Sequence, residues 1–271
     1  MEGPKLKNIA LLILVLTNLY LLFFVVRLEW QNNVQYRQAR TEAIHFLMEK
    51  GVAVDERLVP EEITLLPQTV ERDLELERHA AAQLLGDGLR MEDRGGGVYR
   101  YFGEGGNIQF HSDGSFSAFF TSGSYPLGEE PERTCLDLLS KLDMEASLLE
   151  QEEGRWLFCQ RWEGVSLFTQ QVTLETDGRW VEAITAGRRL VGKPVPDQSR
   201  KIITVSTALV EFFNGLNSLG DVCSRVDGIE AGYVTEVSLS GPVSMTPVWR
   251  IETDTGAYQL DLVNGQLSRC P

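Results

Sequence analysis

The chain is poor in the residues that usually carry catalysis or hold metals. Its three histidines, His45, His79 and His111, are scattered and form no HExxH or HxH arrangement. Four cysteines (Cys135, Cys159, Cys223 and Cys270) show no CxxC spacing and have no histidine nearby, which argues against a zinc or thioredoxin-like site. Four thiols in 271 residues are too few to replace a hydrophobic core. They read as ordinary buried thiols, with two disulfides in any of three pairings as the alternative. Basic residues are outnumbered, 25 against 39 acidic, and no Lys/Arg cluster interrupts the net charge of −14. Such a body repels a phosphate backbone, so nucleic acid is not an expected partner.

Phosphate loops and activated nucleophiles are missing too. Gly95-Gly96-Gly97 and Gly103-Glu104-Gly105-Gly106 have neither the preceding buried strand nor the following helix of a nucleotide loop. Gly192-Lys193 lacks the rest of a P-loop, and there is no GxSxG or Ser-x-x-Lys nucleophile. Asp254-Thr255-Gly256 has a calcium-like look that a hairpin turn explains as well. The expectation is a protein without catalytic residues, metal or cofactor, and not an enzyme.

What the sequence does have is one long apolar run. Residues 9–26 read IALLILVLTNLYLLFFVV, without charge, proline or glycine. At a rise of ~1.5 Å per residue this run spans about 27 Å, close to the thickness of a bilayer's hydrocarbon. Lys5 and Lys7 precede it, and Arg27, Glu29 and an interface-seeking Trp30 follow. Bulky Val25-Val26-Arg27-Leu28 stands where a cleavable signal peptide would carry small residues, so the helix is expected to be retained as an anchor. Flanking charge alone does not orient it, because Arg37 and Arg40 join Arg27 on the far side.

Beyond the anchor, four helices are expected. Residues 35–50 place Ala39, Ala43, Phe46 and Leu47 on one side, and residues 74–85 stop at Gly86. The third runs from Pro131 with Cys135, Leu138, Leu139, Leu142, Ala146 and Leu149 on one face. The fourth starts near Ser199 as a cap, carries Ile202, Val205, Leu209, Phe212, Phe213 and Leu216, and stops at Gly220. Between them lie alternating β-rich runs turned by Asp113-Gly114, Asp177-Gly178 and Asn264-Gly265, pairs that favour the type I′ hairpin. Helix, strands and a DG or NG hairpin thus recur three times. The turn-rich, acidic stretch 121–132 is the best domain boundary. The reading is α+β: a head (1–8), a transmembrane helix (9–26) and two mixed domains of helix plus antiparallel hairpin units, 27–126 and 127–271.

A succession in the second half carries a resemblance. Gln160-Arg161-Trp162-Glu163-Gly164-Val165-Ser166-Leu167-Phe168, then a helix over residues 208–213, Gly232-Tyr233, Thr246-Pro247-Val248-Trp249-Arg250-Ile251-Glu252-Thr253, Gly256-Ala257-Tyr258 and Asn264-Gly265-Gln266 follow in order. Together with the short lysine-bearing head and single apolar helix, this resembles YycI and, more distantly, YycH. These are membrane-anchored regulators of the YycG (WalK) sensor kinase in Gram-positive bacteria. The resemblance implies a cytoplasmic N-terminus and an extracytoplasmic body of PepSY-like units. It further implies contact with a sensor histidine kinase, or with a sister YycH-like protein, through membrane helices, in the control of cell-wall homeostasis. It brings no catalytic residue. A PepSY-like binding module that restrains an extracellular peptidase is the alternative. Within the anchor, Thr17 and Asn18 are polar at mid-membrane depth, and with Tyr20 and Leu21 they form the expected partner-binding face.

Overall fold

The computed structural model describes residues 3–237 and 241–270, and within the first helix it leaves out the side chains of residues 3–10, 28, 29, 32 and 33. The expected head, with Lys5 and Lys7, falls outside the described side chains, as do Ile9, Ala10 and Glu29.

The helix expected as an anchor and the first body helix are one element. α1 (Gly3–Glu49) runs through residues 27–34, which had been expected to separate two helices, because nothing there breaks it: the stretch has no proline and no glycine. It ends at Gly51, whose φ of 89° suits glycine. α2 (Leu74–Leu85) begins at Asp73, whose carboxylate accepts from the backbone N–H of Glu75 and Leu76, and stops at Gly86 as expected.

The remaining chain is mostly strand. After β1 (Gln68–Val70) and α2 come β2 (Arg90–Asp93), β3 (Tyr99–Gly103), β4 (Gly106–Phe110) and β5 (Ser115–Phe120). Then follow α3 (Pro131–Ser140), β6 (Glu145–Glu152), β7 (Arg155–Trp162), β8 (Val165–Thr176) and β9 (Val181–Arg188). The chain continues through β10 (Pro194–Pro196) to α4 (Val205–Leu219), β11 (Val226–Glu236), β12 (Val243–Thr253), β13 (Gly256–Asp261) and β14 (Leu267–Arg269). All belong to one large, mixed α+β sheet structure in which, among the described residues, every strand pair but one is antiparallel.

The threefold recurrence in the sequence is a recurrence in space. α2 is followed by the meander β2-β3-β4-β5, α3 by β6-β7-β8-β9, and α4 by β11-β12-β13-β14. In each unit the DG or NG turn closes the last hairpin. The first two units join through their final strands, β5 antiparallel to β9, and share one core that includes Leu85, Ile108, Phe110, Leu138, Leu142, Phe158 and Ile184. The third unit forms a second core with the end of α1, where Ala43, Ile44 and Leu47 meet Leu209, Phe212, Trp249 and Leu260. A short parallel contact, Gly232 opposite Ser166 and Tyr233 opposite Leu167, links the two bodies. A small third cluster of Val70, Leu190, Val191, Tyr233 and Met245 fills this seam. The mostly exposed stretch 121–132 packs against the first body, with Leu127 buried in its core.

Three expectations need correction. The third helix ends at Ser140. Asp143 turns left-handed (φ 58°), and Ala146 and Leu149 lie on β6. The deciding pattern is the period-two row Leu142, Met144, Ala146 and Leu148, which faces the first core, while Leu149 points outward. The fourth helix starts at Val205, capped by Thr204, whose Oγ1 accepts from the Thr207 N–H at 3.2 Å. Ser199 instead donates to the Asp197 carboxylate at 2.6 Å. Lastly, the DG and NG turns are not type I′, since Asp113, Asp177 and Asn264 keep negative φ and only the glycines are left-handed. The type I′ geometry occurs at Glu163-Gly164, with φ of 50° and 76°, joining Trp162 to its partner Val165.

Candidate functional site

Two places stand out from this fold: the first half of α1, and a cleft at the seam between the bodies. Along α1 the described apolar side chains of residues 11–26 are all exposed, Leu12 at 59% and Phe23 at 65% among them. Consecutive apolar exposure of this kind is foreign to a water-facing helix, which keeps a polar face. Among the described residues no helix is long and apolar enough to cross a membrane.

All four residues of the expected partner face are on this exposed stretch. Thr17 donates through Oγ1 to the Ile13 carbonyl and Asn18 through Nδ2 to the Leu14 carbonyl, both at 2.8 Å. The helix therefore satisfies one donor of the Asn18 amide by itself. Its second N–H and its carbonyl oxygen remain for a neighbour. Tyr20 and Leu21 flank it, 66% and 53% exposed.

At the other end α1 is locked to the body. Arg40 donates from Nε to the Pro60 carbonyl at 3.1 Å and from Nη2 to those of Glu56 and Val59 at 2.6 and 2.8 Å. Ala43, Ile44 and Leu47 are buried against α4, and Phe46 meets Phe213 edge to face at 5.5 Å. One unbroken helix connects the apolar half to the second core.

The cleft has a volume of about 680 Å³ and opens where the chain leaves β9. Residues from α2, the end of α3, the β7–β8 hairpin and the stretch 189–194 line it. At its base Arg189 is only 5% exposed. Its Nε and Nη1 are buried without a hydrogen-bond partner among the described residues. Burial pulls the guanidinium below its ordinary pKa, opposed by the more distant Glu77 and Asp143 carboxylates. Glu77 is engaged elsewhere, receiving both Nε and Nη2 of Arg72 at 2.7 and 2.9 Å. Two other open clefts are less organised. One of about 570 Å³ lies on the polar face of β5, β8 and β9, and one of about 450 Å³ sits between α1 and the start of α4.

Other residues singled out in the sequence have structural places. His45 and His79 are on exposed helix faces, and His111 contacts the Gln109 amide at 2.9 Å. No group of acidic, histidine and cysteine side chains among the described residues could hold a metal ion. Asp254, in the calcium-like fragment, accepts from the Ser224 N–H at 3.0 Å, its hydroxyl at 2.5 Å, and the Arg225 N–H at 3.2 Å. It is a turn cap. All four cysteines are free thiols, three of them buried, and burial pushes Cys135 up to about 12. Arg189 was not singled out in the sequence, where nothing beyond an Arg188-Arg189 pair after a strand marks it.

No family model matches the chain, and no curated protein matches it. Among solved structures it is similar to an uncharacterized protein from Eubacterium rectale ATCC 33656, with a TM-score of 0.42 and 10% identity over 81% of this chain and 90% of that one. It is also similar to the YpeB C-terminal domain from Bacillus megaterium, with a TM-score of 0.35 and 13% identity over 74% of this chain and 99% of that one.

Proposed function

We propose that the chain is a non-enzymatic, membrane-anchored regulator of a two-component sensor histidine kinase, acting on cell-wall homeostasis through contact between membrane helices. In this reading residues 9–26 span the membrane, the N-terminus is cytoplasmic and the body is extracytoplasmic, built of PepSY-like units. Thr17, Asn18, Tyr20 and Leu21 meet the kinase or a sister YycH-like protein. The observation that carries the reading is the exposed apolar half of α1, sixteen consecutive exposed residues, continuous with a body whose exposed apolar residues are scattered singly. Water does not tolerate such a surface, and lipid or a partner helix covers it. With Ile9 and Ala10 the stretch reaches ~27 Å, enough to insert. The kinase itself comes from the resemblance to YycI and YycH.

Protease added to intact protoplasts tests the topology. The body is expected to be digested while the cell interior stays intact; a protected body reverses the orientation and removes the reading. The alternative, restraint of an extracellular peptidase, predicts that a peptidase and no kinase co-purifies with the body alone.

A further inference from the structure

A sheet of this size has open edges to manage, since an unpaired strand presents a row of free N–H and C=O groups to any other strand. Among the described residues the sheet ends in four edge strands, β2, β6, β10 and β14. Three of them are blunted. β10 carries Pro194 and Pro196, β14 is three residues long, and β6 has Glu145, Glu150 and Glu152 with a bulge at Leu149. Two copies of β6 laid edge to edge would set acid against acid. β2 lacks these protections. All four of its residues are exposed, and α2 packs over β3 and β4, which leaves Met91 55% exposed. The turns on both sides of β2 are open as well: a Cβ at Gly86, Gly88, Gly95 or Gly96 would meet nothing within 4 Å.

We propose that β2 is an interface for a second copy of this chain, joined antiparallel and edge to edge in a register centred on Met91. Backbone phase and charge both select this register. The Arg94 N–H donates to the Val98 carbonyl at 2.9 Å, one step beyond the Asp93–Tyr99 pair. Alternation along the strand therefore turns the backbone of Arg90 and Glu92 towards β3, and that of Met91 and Asp93 outward. A twofold axis normal to the sheet keeps each side chain on its own face, so facing residues must be identical or an even number apart. With Met91 opposite Met91 of the second copy, the two residues exchange their outward hydrogen bonds, and Arg90 of each copy faces Glu92 of the other. Arg90 is already held at the edge, its guanidinium 4.6 Å from the Phe102 ring centroid, while Glu92 has a loose, exposed contact with Arg94 at 3.8 Å. On the opposite face the two exposed Met91 side chains cover each other. Centring the pair on Asp93 instead would set two carboxylates against each other. The interface uses the first body alone, and it depends neither on the apolar half of α1 nor on a kinase.

The test is crosslinking in cells that express the full-length chain, with a short, membrane-permeant bis-maleimide that reaches the body on either side of a membrane. Met91→Cys is compared with Leu149→Cys on the blunted edge β6, where the side chain is 52% exposed. Both are made in a Cys270→Ser background, because the other three thiols are buried. Met91→Cys should give a covalent dimer and Leu149→Cys should give little. Adding Arg90→Glu to Met91→Cys puts a carboxylate opposite Glu92 of the second copy at two symmetric places and should lower the yield roughly tenfold. Adding Glu92→Arg as well exchanges both charges and should restore the yield, which loss of folding would not do. The comparison of Met91→Cys with Leu149→Cys stands even if Arg90→Glu fails to fold. The proposal is overturned if Met91→Cys gives no more dimer than Leu149→Cys. It is also overturned if a folded Arg90→Glu chain crosslinks as well as its parent, or if a folded chain with both charges exchanged does not recover.

Discussion

Single side chains carry the cores and cap the turns. Leu142 and Phe212, fully buried in the first and second cores, are the central residues of their apolar rows. Truncating either to alanine should cost roughly 2–5 kcal/mol, read from denaturant unfolding of each variant; wild-type stability in both would contradict the packing. Asp254 shows how a lone carboxylate couples stability to pH. Its bonds from the Ser224 hydroxyl and the Ser224 and Arg225 backbone hold it below the ordinary carboxylate value. A depressed folded-state pKa gives stability that is present above the unfolded value of ~4 and is lost as pH falls through the folded one. Asp254→Asn should therefore melt below wild type at neutral pH, with the gap closing in acid melts below about pH 4. Within the anchor, Asn18→Leu should leave the body folded and weaken association with the partner helix in a two-hybrid assay using the intact anchor. Leu14→Ala is the control. The amide's remaining N–H and carbonyl oxygen are the groups at stake, worth on the order of 0.6–2 kcal/mol between helices.

At the scale of elements, much was legible wherever a local rule and the tertiary packing agreed. α2 matched its expected range and its glycine stop, and the three DG or NG hairpins fell where the turn residues placed them. The misreadings have physical causes. From Cys135 to Leu149 the apolar spacing suits a helix, but the same letters from Leu142 to Leu148 also alternate, and pairing with β7 decided for a strand. The turn type was missed because Asp carboxylates stabilise turns with negative φ, as Asp113 does by accepting from the Ser115 N–H at 2.9 Å. Continuity of α1 was hidden because charged residues follow the apolar run, although charge does not break a helix. That continuity makes its own prediction. Val34 is exposed in mid-helix, so Val34→Pro should kink α1 while leaving the melting of the body near that of wild type. Regulation in cells should be lost, read from transcription of the kinase's target genes; unchanged regulation would show that the helix does not transmit between anchor and body.

For the whole molecule, the three helix-plus-meander units explain both the large sheet and its division. Two units close a core by themselves, whereas the third borrows the end of α1 and so ties the second body to the helix that carries the apolar run. The apolar half of α1 was plain in the sequence because it needs only composition and length. The cleft at Arg189 was not, because an unpaired buried arginine is a property of packing that no local pattern encodes. The central claim is that a sensor kinase is engaged through the anchor. Its most direct measurement is affinity purification from solubilised membranes, comparing the intact chain with a body lacking residues 1–30, with histidine kinases quantified by mass spectrometry. The account predicts that one sensor kinase is enriched with the intact chain and lost with the body. Equal enrichment by the body, or no kinase with either, would contradict it.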